Sequence, residues 1–170
     1  KQFKASSIIY DTDKRLNMAV LVTHESLPLY NILIKHKTNE IKSNLKVVIS
    51  NHKELSSVAE QFNINFELID VNPDKNKGNE ELKAILDNSS IDLVILARYM
   101  QIIPNNIVEN FKGRIINIHH GFLPAFKGGQ PYRQAWERGV KIIGATAHYV
   151  TEQLDEGPII SQDVAPVTHH

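Results

Sequence analysis

The chain has 170 residues, of which 42% are hydrophobic and 22% charged, the composition of one ordinary globular domain. Its 19 Lys and Arg balance its 19 Asp and Glu, so no net field recruits a nucleic-acid backbone or an anionic membrane, and the expected ligand is a small molecule. The absence of cysteine excludes a disulfide framework and thiolate chemistry and suits a cytoplasmic location, and no apolar run approaches the roughly 20 residues of a membrane span.

Residues 1–16 carry little pattern and read as the end of a preceding domain or as a linker, with one domain over 17–170. The first strand is "NMAVLV" (17–22), followed by a helix in "LPLYNILIKHK", where Leu29, Ile32, Leu33 and His36 fall on one face. "LKVVIS" (45–50) is the next strand, "ELSSVAEQF" a helix, "FELIDV" (66–71) a strand and "NEELKAILDN" a helix. Two more strands, "DLVILA" (92–97) and "RIINIH" (114–119), complete the series. Several of these runs are continuously apolar, as expected of strands covered on both faces. Strand, helix, strand repeated in this way predicts an α/β fold: a doubly wound, mostly parallel sheet with helices on both faces. After Pro131, "YRQAWERG" is a short helix closed by Gly139, and "KIIGATAHYV" and "PIISQDV" are strands flanking the loop "TEQLDEG". These last two are expected to pair antiparallel at one edge.

In open α/β sheets ligands lie beyond the carboxyl ends of the strands. Asn117 and His119 are two apart on one strand, so both side chains share a face while Ile116 and Ile118 face the other way. An imidazole transfers protons near neutral pH and an amide N–H donates to a developing oxyanion, a pairing that suits attack on an acyl carbon. The same two residues also suit a plainer role, satisfying backbone groups at a strand end. His148, on a later strand, is expected to be packed and hydrogen-bonded, and Asp155 and Glu156 are ordinary turn residues unless their loop folds back over the histidines. His119, His120, His148 and Asp155 do not have zinc-ligand spacing, because adjacent histidines on an extended strand diverge, and no metal is expected there. Neither GxGxxG nor GxxxxGK[ST] occurs, so a dinucleotide or triphosphate lacks its usual loop.

"NIHHGFLPAFKG" and "LDEGPII" together resemble the formyl-transfer fold family, which includes glycinamide ribonucleotide and methionyl-tRNA formyltransferases and formyltetrahydrofolate deformylases. The resemblance covers nearly all of 17–167. It implies a formyltransferase-like variant of the Rossmann architecture, with Asn117, His119 and Asp155 as the catalytic trio. It also implies a folate pterin read by backbone of Met100, Gln101 and Ile102 and of the loop 150–155, with Val150 and Leu154 among the contacts. "INIHHGFLPAFKGGQPYRQAWERGVKIIGATAHYV" is most similar to the deformylase branch, whose members usually carry serine where this chain has Gly121. The first strand–helix turn, "VTHESLPLYNIL", contains no glycine to wrap a phosphate, which removes the anchor of a ribonucleotide acceptor and leaves water.

The implied reaction is hydrolysis of 10-formyltetrahydrofolate to formate and tetrahydrofolate, supplying formate for purine biosynthesis, with no resident cofactor and no metal. Formyl transfer to an amine and non-catalytic folate binding are the alternatives. The resemblance further implies that residues 1–16 end an ACT-type domain and that the catalytic domain is truncated at its carboxyl end. The expected partners are the folate and further copies of the chain, with no nucleic acid and no membrane. His120 is expected to shape the loop, and His148 to stand behind the trio or hold Asp155.

Overall fold

A computed structural model describes residues 14–70 and 75–168. Most of the expected segment at 1–16, residue 71 of the expected third strand, and the terminal His169 and His170 lie outside the described residues.

The described chain runs β1 (Asn17–Val22), α1 (Ser26–Lys37), β2 (Asn44–Ser50), α2 (Ser56–Gln61), β3 (Asn65–Leu68), α3 (Lys75–Asn88) and β4 (Leu93–Leu96). It continues through α4 (Asn105–Asn110), β5 (Ile115–His119), α5 (Pro131–Glu137), β6 (Ile142–Tyr149) and β7 (Ile159–Pro166). The strands form a seven-stranded sheet in the order β3-β2-β1-β4-β5-β6-β7. Pairing is parallel from β3 through β5 and antiparallel for β5–β6 and β6–β7. This is the doubly wound sheet with an antiparallel edge that the strand pattern predicts.

Period-two alternation in β1 assigns the helices to their faces. Met18, Val20 and Val22 pack with Leu29 and Leu33 of α1 and Val58 and Ala59 of α2. Ala19 and Leu21 point the other way, to Leu82 and Leu86 of α3 and Ile107 and Val108 of α4. Both faces are therefore covered, and β1 is buried from Met18 to Val22. Each fully buried Leu or Val contributes about 1.5–3 kcal/mol relative to exposure. Basic residues Lys35, His36 and Lys37 close α1, where they complement its carboxyl-terminal partial charge.

Three details depart from the sequence reading. The helix α4 has six residues, rich in asparagine, and only Ile107 and Val108 buried, too few for a helical period to show. The third strand ends at Leu68 and is exposed or half-buried throughout, because β3 is an edge rather than a covered strand. Ile118, expected to face away from Asn117 and His119, is 41% exposed and lines the same cavity as they do. Among the described residues no helix is long and apolar enough to cross a membrane.

The sequence crosses from one helix layer to the other between β3 and β4, so the loops after β1 and β4 diverge at the topological switch point. The residues following β4 and β5 open onto that crevice.

Candidate functional site

The register of β5 against β6 sets Asn117 opposite His148 and His119 opposite Thr146. Opposed residues share a face, so the amide and both imidazoles converge. The Asn117 amide nitrogen lies 3.2 Å from His148 Nε2, and His148 Nδ1 lies 3.0 Å from the Tyr149 carbonyl. A carbonyl only accepts, so Nδ1 carries the hydrogen and Nε2 is free to accept from the amide. His148 thereby fixes the orientation of Asn117 and leaves its second amide hydrogen for another acceptor.

The loop between β6 and β7 folds back over this pair. Asp155 is buried, with Oδ1 3.7 Å from His148 Nε2 and Oδ2 3.5 Å from His119 Nδ1. The Gly128 N–H donates to Oδ2 at 2.8 Å, so the glycine loop after β5 also holds the carboxylate. His119 Nε2 lies 3.0 Å from the Phe126 carbonyl, to which it donates, leaving Nδ1 as the atom turned to Asp155. Asn117, His119 and Asp155, separated in sequence, are thus brought together with His148 as a fourth member.

A Cβ at Gly157 would overlap the Tyr149 carbonyl oxygen, the same oxygen that orients His148, so the "DEGP" turn has room only for glycine there. Gly121 is equally confined: a Cβ would lie 2.7 Å from His119 Nε2 and 2.8 Å from Pro131 Cβ. The segment Gly121–Leu123 is pinned by the buried Thr146 hydroxyl, which donates to the Gly121 carbonyl at 2.9 Å and accepts from the Leu123 N–H at 3.1 Å. Gln162 of β7 donates to both the Leu123 carbonyl (2.8 Å) and Thr146 Oγ1 (3.0 Å).

A cavity of about 260 Å³ opens against Asn117, His119 and Asp155, with Arg98, His120, Gly128 and Leu154 in its wall. Met100, Gln101 and Ile102 line it as well. A smaller pocket of about 100 Å³ is bounded by Asn117, His148, Val150, Leu154 and Asp155. Met100, Ile102 and Leu154 are 59, 80 and 61% exposed, so apolar side chains, with Ile118 among them, line the cavity beside its polar groups. The Met100 N–H is already given to Thr23 Oγ1 (3.0 Å) and the Val150 N–H to the Ile115 carbonyl (2.9 Å). A ligand read by backbone here uses the N–H groups of Gln101 and Ile102 and the carbonyls instead. A larger cavity of about 590 Å³, lined by Val108, Lys112, Thr151 and Pro158 among others, includes none of the clustered histidines or Asp155.

His120 lies beyond the end of β5 and packs edge-on against Tyr132 with centroids 5.5 Å apart. It lines the cavity beside Arg98, which sequence reasoning did not single out. Burial, and then the nearby Arg98 and His119, push its pKa down to about 4. Arg98 has φ +59° and its guanidinium lies 3.7 Å from the Glu25 carboxylate at the start of α1. Burial pushes the Tyr99 phenol, on the same wall, up to about 12, so it is a neutral hydroxyl.

The family described as formyl transferase matches residues 16–170. A formyltetrahydrofolate deformylase of Synechocystis is 45% identical over 170 residues, covering 99% of this chain and 60% of the relative. The crystal structure of a formyltetrahydrofolate deformylase from Pseudomonas syringae superposes with a TM-score of 0.89 at 43% identity, covering 92% of this chain and 53% of the other. A glycinamide ribonucleotide transformylase from Symbiobacterium toebii gives 0.87 at 32% identity, with 96% and 79% covered. The chain therefore spans between half and two thirds of the length of these two deformylases.

Proposed function

The chain belongs to the formyl transferase family, and from that premise we propose that it hydrolyses 10-formyltetrahydrofolate to formate and tetrahydrofolate, the formate serving purine biosynthesis. The observation that carries this reading is the Asp155 carboxylate set between His119 and His148, with Asn117 oriented by His148, at the wall of a cavity that apolar side chains also line. The higher identity to deformylases than to the transformylase supports water as the acceptor.

The folate pterin lies across Met100, Gln101 and Ile102 and against Val150 and Leu154, placing the formyl carbon near Asn117. Asp155 holds a water molecule whose oxygen attacks that carbon. The free Asn117 amide hydrogen meets the oxyanion of the tetrahedral intermediate. The proton given up by water passes through Asp155 and His119 to the folate nitrogen as the carbon–nitrogen bond breaks, releasing formate. The reaction so drawn uses the chain's own side chains, with the folate as substrate rather than resident cofactor.

The start of α1 also disfavours a phosphate-bearing acceptor. Glu25 stands at its N-cap with its carboxylate turned to Arg98 and not onto the helix N–H groups, which sets a negative charge beside the helix end where a phosphate is otherwise attracted. Transfer to an amine is the second reading, favoured by the close superposition on the transformylase. Supplying 10-formyltetrahydrofolate with and without an amine acceptor separates them: formate released in water alone supports hydrolysis, and turnover only when an amine is added contradicts it.

We further infer a cytoplasmic protein that assembles with copies of itself and engages neither nucleic acid nor membrane. The supports are the balanced charge, the lack of cysteine and the outer strand β7, exposed in all eight residues, among them Ile159, Ile160 and Val164.

A further inference from the structure

We propose that His24, His52 and Glu54 form a binding site for a divalent transition-metal ion, separate from the catalytic cavity. One ligand atom of each residue lies within 4.8 Å of those of the other two. The Glu54 carboxylate faces both rings, with Oε1 3.7 Å from His24 Nδ1 and Oε2 4.0 Å from His52 Nδ1. The rings are tilted at 38° with centroids 3.8 Å apart.

Zinc holds nitrogen and oxygen ligands at about 2.0–2.2 Å, which separates tetrahedral ligand atoms by roughly 3.3–3.6 Å. The two carboxylate–imidazole distances, which run to different oxygens of Glu54, are within a few tenths of an ångström of that range, and the widest separation within the set, up to 4.8 Å, must close by over an ångström. The side chains of His24 and Glu54 are 57 and 60% exposed and that of His52 is 37% exposed, so rotation alone closes the remaining gap, and the site is open to solvent.

The donor set identifies the ligand class. Two imidazoles and one carboxylate suit Zn²⁺ with an open fourth position, or Fe²⁺ as a facial triad. An anion is repelled by Glu54, and a hard cation such as Mg²⁺ has only one oxygen donor here. A divalent ion between the three groups satisfies both ring nitrogens and the carboxylate together.

The backbone beneath the two histidines is fixed by hydrogen bonds that leave their rings free as ligands. His24 and His52 follow the paired ends of β1 and β2, where Val22 is in register with Ser50. The buried Ser50 hydroxyl donates to the Thr23 carbonyl at 3.4 Å and accepts from the His52 N–H at 3.1 Å. Thr23 Oγ1 in turn donates to Asn51 Oδ1 at 3.3 Å. The sheet therefore sets the spacing of two histidines 28 residues apart, leaving only side-chain torsions to adjust.

Calorimetric titration of chelator-treated protein with Zn²⁺ alone tests the proposal, using a His169→Ala/His170→Ala background to remove the terminal pair as a competing binder. A single equivalent is expected to bind, weakened roughly tenfold or more by His52→Ala and by Glu54→Gln. Circular dichroism checks that each variant is folded, and anomalous scattering from zinc-soaked crystals is expected to place the ion between the three side chains. No saturable binding below about 1 mM Zn²⁺, undiminished binding in a His24→Ala/His52→Ala variant, or an ion located elsewhere overturns the proposal. Formate release plays no part in these readouts, so the result is independent of the catalytic reading.

Discussion

Asp155 adopts φ +56°, a left-handed conformation that aspartate, like asparagine, enters more readily than most residues, and it does so in the turn that carries its carboxylate to two histidines. The neighbouring backbone is as tightly specified at Gly121. Gly121→Ser forces the new Cβ against His119 Nε2 and Pro131. The expected outcome is a loss of about 1–3 kcal/mol of stability and a fall in kcat, read from denaturant unfolding and steady-state formate release. An unchanged kcat would show that the His119 ring is free to move. His120 carries the pH dependence that the site makes explicit. Its folded pKa of about 4 lies below the ordinary 6.5, so the unfolded chain binds the proton first. Its contribution to stability is therefore whole above pH 6.5 and is lost as the pH falls towards 4. His120→Gln is expected to lose less stability than the parent between pH 7 and pH 5 in urea titrations, and equal losses would contradict the assignment. The shared face of Asn117 and His119 was legible from alternation along β5, but the strand ends before His120, which lines the same cavity as His119 instead of diverging from it. Of the partners of His119, Asp155 was implied by the motif resemblance, whereas the Phe126 carbonyl leaves no pattern in the sequence.

At the scale of elements, Thr146 ties three together. Its hydroxyl on β6 holds the turn after β5 and receives Gln162 from β7. Thr146→Val keeps the shape but leaves the buried Leu123 N–H without its acceptor, at a cost of about 1–3 kcal/mol. The turn that faces His119 should loosen with it. Urea unfolding and hydrogen exchange at Leu123 measure both effects, and exchange protection equal to the parent's would exclude this role. The covered strands β1, β2 and β4 were legible because both faces are buried and the runs are continuously apolar. Edge strand β3 and the six-residue α4 expose most of their surface, so burial imposes little pattern on them. His24, His52 and Glu54 were invisible for a different reason: parallel pairing brings together turns that follow different strands, and no local spacing records it.

For the whole molecule, the order of strands decides where chemistry is possible. The change of helix layer between β3 and β4 opens the crevice, and the antiparallel return of β6 and β7 delivers His148 and Asp155 to the end of β5. Two motifs 38 residues apart, at Asn117 and Asp155, thereby close one site. We propose that this site adds water to a formyl carbon with Asn117 holding the oxyanion. Formate release from 10-formyltetrahydrofolate in ¹⁸O-labelled water, without amine, by the parent chain and Asn117→Ala measures this. The label is expected in the released formate, with a rate reduced roughly 100- to 1000-fold in the variant. Formate release at the parental rate by Asn117→Ala, or none from the parent until an amine is supplied, would contradict it.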